Sequence, residues 1–138
     1  MLALGALLAV MLVRSGAAPA GPSYVAVLAD DAARPALAVT SYAKPSWRIE
    51  IEPLAPLASG EGRVLQLWAV ARDSGAIQPL ATVPATAQHL ALNESGWKLV
   101  KGAAQLMVTL EPAAGAREPT SPVLYRGPCL NLKGPAAS

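Results

Sequence analysis

Gln105-Leu-Met-Val-Thr-Leu-Glu-Pro-Ala-Ala-Gly-Ala-Arg-Glu-Pro-Thr-Ser-Pro-Val-Leu-Tyr-Arg-Gly127 is the stretch that decides the fold of this chain. Two apolar runs of strand character are joined through Glu111-Pro112, a turn at Gly115 and Pro119-Thr-Ser-Pro122. Proline holds its own φ and has no N–H for a sheet ladder, so the pattern reads as strand, rigid loop, strand. These are residues of turn chemistry, and they contain no set that could run a reaction.

Working outward, the same style of sequence continues. Arg63 to Arg72, containing Val64-Leu-Gln-Leu-Trp-Ala-Val-Ala71, is nearly continuous in apolar character and suits a central strand covered on both faces. Asp73-Ser-Gly75 is a tight-turn cluster leading to Gln78 through Val83, which predicts a hairpin. Trp47-Arg-Ile-Glu-Ile-Glu52 alternates strictly, placing Trp47, Ile49 and Ile51 on one face and Arg48, Glu50 and Glu52 on the other. Tyr24 to Ala29, Ala36 to Tyr42, Ala87 to Leu92, Ala103 to Glu111, Pro122 to Arg126 and Cys129 to Leu132 read as further strands. One helical turn is expected after Asn93 or Ser95 as N-cap, ending at Gly102. Turn spacing of this kind predicts an all-β fold, a two-sheet antiparallel β-sandwich of about seven to nine strands.

Composition agrees with one such domain. The 138 residues are 53% apolar and 14% charged, which excludes a disordered tail and leaves either a dense β core or a soluble domain with a membrane segment. Net charge is +2 and the eleven basic residues are scattered singly, so no stripe exists along which a phosphate backbone could be neutralised. Nucleic-acid binding is not expected.

The organisation predicted is an apolar helix over 1–14, a linker over 15–23, the β domain over 24–133 and a tail over 134–138. Met1 to Val13 carries no charged side chain and is followed by Arg14. As a helix, a run of this length spans roughly 20 Å, short of the roughly 30 Å hydrocarbon core. Two main readings stand beside that of a buried segment. The run is the outer part of a transmembrane helix completed by upstream residues, or a signal peptide with a small-x-small site at Ala18-Pro-Ala20 but without the preceding basic residues. Both put the remainder outside the cytoplasm, on the extracytoplasmic side of a plasma membrane.

Candidate chemical residues reduce to structural ones. His89 is the only histidine and Cys129 the only cysteine, so the chain alone supplies no tetrahedral His and Cys zinc set and no internal disulfide. His89 suits an edge or surface strand; Cys129 is either a buried inert thiol or pairs with another chain. No Gly-x-Ser-x-Gly elbow occurs, and Gly60-Glu-Gly62 is a loop instead of a phosphate cradle. No metal, cofactor or catalytic residue is assigned. Trp68 reads as a core anchor between sheets whose indole N–H needs one partner. Glu111 has no second carboxylate at an informative spacing for acid–base work, and reads as an acceptor for loop amides that holds the Pro119 to Pro122 path.

Taken in order, Leu67-Trp68, Glu111-Pro112, Ala114-Gly115, Pro119-Thr120-Ser-Pro122 and the closing strand to Gly127 resemble the C-terminal extracytoplasmic domain of the anti-sigma-K factor family, the RskA-type regulators. The agreement runs from Tyr24 to Gly127. Leu67, Trp68, Glu111, Pro112, Gly115, Pro119, Thr120, Pro122 and Gly127 are the signature positions, all structural. The resemblance implies a non-enzymatic, single-pass membrane-anchored anti-sigma factor that restrains an extracytoplasmic-function sigma factor. It also implies release through an outer, site-1-type protease followed by cleavage within the membrane. Two departures stand out. Ala114 replaces the first of the family's usual Gly-Gly pair, and the cytoplasmic helical sigma-binding domain, often with a His and Cys zinc set, is not among these residues. A secreted or periplasmic β-sandwich binding module without a sigma partner is the alternative.

Overall fold

The computed structural model describes residues 21–132; the apolar segment and the tail expected at the two ends lie outside them. Alternation of side chains across an extended backbone decides which residues of each strand can enter the core. The strands are β1 Tyr24–Ala29, β2 Pro35–Tyr42, β3 Arg48–Pro53, β4 Arg63–Ala71, β5 Ile77–Thr82, β6 Gln88–Ala91, β7 Ala103–Pro112, β8 Val123–Pro128 and β9 Leu130–Asn131. A single described helix, α1, covers Glu94–Lys101. All pairings are antiparallel.

Strand content and pairing match the sequence reading, but the layering differs from a two-sheet sandwich. Hydrogen bonding runs through one sheet in the order β5-β4-β7-β8-β1-β2-β3-β6, with β9 added on β1. The sheet curls into a half-barrel. Its concave face explains the curl: Leu65, Leu67 and Val108 from one half and Leu37, Ile49 and Ile51 from the other share one buried cluster. Neither half could remove these side chains from water alone. The halves meet where β1 pairs with β8 at Ala29 and Arg126. Gly127 makes that approach possible, since a Cβ there would lie 2.0 Å from the carbonyl oxygen of Val27.

Helix α1 closes one side of the curl. Asn93 accepts from the Gly96 amide at 2.8 Å, Glu94 sits in the first turn, and Lys98 and Lys101 in the last, complementing the helix dipole. Val100 is fully buried in the core, while Trp97 meets Tyr24 edge-on at 5.8 Å and lies parallel to Trp47 at 6.4 Å. Trp47 departs from the strict alternation expected for it. Ile49 and Ile51 are fully buried, whereas Trp47 precedes the strand, rests against Trp97 and is 38% exposed.

Candidate functional site

Adjacent residues of one strand point to opposite sides of the sheet. In β4 and β7 the pairs Leu67–Val108 and Ala69–Leu106 face the concave core, so Gln66, Trp68, Met107, Thr109 and Glu111 must face the convex side. Those convex residues are nevertheless buried. The cover is the connection from β7 to β8, residues 113–122, which bonds back onto this face through Gln66 and Glu111. Trp68 is therefore a core residue of a second, smaller kind. It lies beneath the loop and not between sheets, because its parity is opposite to that of Leu67.

A hydrogen-bonded relay runs under the loop. The Trp68 indole N–H donates to Thr109 Oγ1 at 2.8 Å, and the Thr109 hydroxyl donates to Glu111 Oε2 at 2.6 Å. The Thr120 amide then donates to Glu111 Oε2 at 3.0 Å and to Oε1 at 3.2 Å, while the Thr120 hydroxyl makes a further short bond to Oε1. Glu111 is fully buried and has no cation in ion-pair distance among the described residues. Burial by itself would raise its pKa; the Thr109 and Thr120 hydroxyls and the Thr120 and Ser121 amides outweigh that and hold the carboxyl below its ordinary value. Neutral donors thus keep a buried carboxylate charged, with no buried polar side-chain atom left unpaired among the described residues.

The rest of the loop is fixed by a two-way bond. Gln66 Nε2 donates to the Ala116 carbonyl at 2.9 Å and Gln66 Oε1 accepts from the Ala116 amide at 3.1 Å. Just before it, Gly115 adopts a φ of 83°, the left-handed conformation that the single glycine of the Ala114-Gly115 pair can take without strain. Pro112 ends β7 and its carbonyl accepts from the Gly115 amide at 2.8 Å. Pro119 and Pro122 flank the Thr120 amide that Glu111 holds. Across the sheet, the Tyr125 hydroxyl accepts from the Ala58 amide at 2.8 Å and ties the β3–β4 connection to the core.

Residues 1–123 match the family described as anti-sigma-K factor rskA, C-terminal. The chain belongs to that family. Comparison with curated proteins and with solved structures gave no match. The RskA family is a regulatory, membrane-associated anti-sigma factor family, and membership in it implies a sigma-factor partner. The matched span takes in Leu67-Trp68 and the whole Glu111 to Pro122 loop; Tyr125 and Gly127 lie beyond it.

Other candidates in this RskA-type domain stay apart from the relay. Glu50 pairs with His89 on the edge strand β6, with His89 Nε2 at 3.6 Å from Glu50 Oε2 and both side chains solvated. Cys129 is buried, and burial pushes its thiol up to about 11 despite the nearby Arg72, which leaves almost no thiolate near neutrality. Among the described residues no group of three His, Cys, Asp or Glu could hold a metal ion, and no helix is long and apolar enough to cross a membrane. Sequence reasoning alone misses Thr109 and Gln66. Their signal is nevertheless present: each is a polar residue in an apolar strand, at the same parity as Trp68 or Glu111.

Proposed function

We propose that the chain is the extracytoplasmic part of a membrane-anchored anti-sigma factor, restraining an extracytoplasmic-function sigma factor through a sigma-binding domain outside these residues. The observation that carries this reading is the family match across residues 1–123, which includes the apolar run Met1 to Val13. In this reading residues 1–14 belong to the membrane anchor, 15–23 form a linker, 24–133 form the β domain and 134–138 a tail.

The β domain is proposed to be non-enzymatic and to present a stable, protease-resistant fold on the outer face. The signature residues Leu67, Trp68, Glu111, Pro112, Gly115, Pro119, Thr120, Pro122 and Gly127 would act together as structure. Leu67 fills the concave core, and Trp68, Glu111 and Thr120 lock the loop. Gly127 lets β8 approach β1. A locked loop favours controlled proteolysis by an outer, site-1-type protease, because cleavage of a folded protein needs an opened segment. Fractionation of cells carrying an epitope-tagged gene tests the placement. The tag should sediment with membranes and be digested by protease added from outside. Recovery in the cytoplasmic fraction would overturn the reading, and a mature N-terminus near Gly21 would instead identify a secreted module.

A further inference from the structure

An apolar cleft of about 400 Å³ opens beside the β3–β4 connection, walled by Pro56, Leu57, Leu65, Val83, Pro84 and Leu110. Its size falls within the range of small-molecule sites. Three of the fourteen lining residues, Pro53, Pro56 and Pro84, have no amide N–H to offer an extended peptide. An acyl chain needs none. One cation stands on the lining: Arg63, solvent-exposed, with no carboxylate in ion-pair distance among the described residues and a long 3.4 Å bond to the neutral Ser121 hydroxyl. A guanidinium so placed exchanges a weak neutral partner for an anion readily.

We propose that this cleft binds a single-chain anionic amphiphile, with the acyl chain against Leu57, Leu65 and Leu110 and the carboxylate or phosphate head at Arg63. The site does not depend on which side of the membrane the domain occupies, nor on a sigma partner. Isothermal titration of the full 138-residue chain with octanoate, decanoate and dodecanoate, each below its micelle concentration, tests it. Saturable one-site binding should tighten by up to about fourfold per added methylene until the cleft is full. Arg63→Gln should weaken dodecanoate about two- to fivefold, the factor that a solvent-facing ion pair supplies. Ala85, an exposed residue of the lining, gives a second variant: Ala85→Trp should fill the cleft and remove binding while leaving the melting temperature unchanged. Absence of saturable binding overturns the proposal, as does dodecyltrimethylammonium binding as tightly as dodecanoate. Self-association of the ligand-free chain that Ala85→Trp abolishes would put a second copy in the cleft and likewise overturn it.

Discussion

Replacing Thr109 by Val keeps the shape of a buried side chain and removes one oxygen, on which two bonds of the loop-covered face depend. The Trp68 indole N–H loses its acceptor at 2.8 Å and the Glu111 carboxylate loses a donor at 2.6 Å. Both groups are fully buried, so neither can turn to water without moving the loop. An orphaned buried neutral donor costs about 1–3 kcal/mol, and a hydrogen bond to a charged group is worth about 1.5–3 kcal/mol. The expected loss for Thr109→Val is therefore about 3–5 kcal/mol, a large part of the roughly 5–15 kcal/mol that holds a domain folded. Urea unfolding followed by tryptophan fluorescence measures it, with the slope against denaturant as a check that the unfolded state is unaltered. Hydrogen exchange should show the loss locally, with the Thr120 and Ala116 amides losing protection before those of β7. A companion variant separates the contributions. Trp68→Phe should cost less in the Thr109→Val background than alone, since the indole N–H is already without its acceptor there. A Thr109→Val protein within about 1 kcal/mol of the native one would refute the relay as a stabilising element.

Other perturbations act on the same geometry. Gly127→Ala places a Cβ 2.0 Å from the Val27 carbonyl oxygen, so β1 and β8 must part, and we expect a loss of at least about 3 kcal/mol, read as a fall in urea midpoint. Acid should loosen the loop first. Glu111 is depressed in the folded state, so its contribution is complete above the ordinary glutamate value near 4.5 and is lost as pH falls through the lower folded value. Glu111→Gln should flatten the stability-against-pH curve in that window. Tyr125→Phe removes the acceptor for the Ala58 amide and should cost about 1 kcal/mol while exposing the β3–β4 connection to protease. Replacing Pro119 and Pro122 together with Ala should raise protease sensitivity between Glu111 and Gly127, by freeing the unfolded chain more than the folded one.

Strand positions are legible in the sequence because alternation and turn residues act locally. Tyr24–Ala29 and Arg63–Ala71 begin where the sequence turns apolar, and α1 begins after Asn93 because the side chain of that residue replaces a missing backbone partner. Layering is not legible. Whether curled strands split into two sheets or stay joined depends on one close approach, at Gly127, and on a single β1–β8 register pair, and neither leaves a period in the sequence. Glu111 can be read as a loop acceptor because it stands at a strand end before proline. Trp68 reads as a main-core residue, because bulk and an apolar neighbourhood dominate such a reading. The parity shared by Gln66, Trp68, Thr109 and Glu111 carries the better answer, since polar residues recurring on one side of two paired strands mark a face that something polar must cover.

Leu67 and Trp68 are consecutive, yet each fills a different buried compartment, one concave and one beneath the loop. That adjacency limits which length changes the gene can tolerate. Inserting or deleting one codon within β4 would exchange the two side chains, driving an indole into space shaped for an isobutyl group and removing the relay's donor at the same stroke. The Gly60-Glu-Gly62 turn can absorb such a change without altering the side that each residue faces. Related sequences should therefore vary in length at that turn and keep an uninterrupted frame from Val64 to Val70.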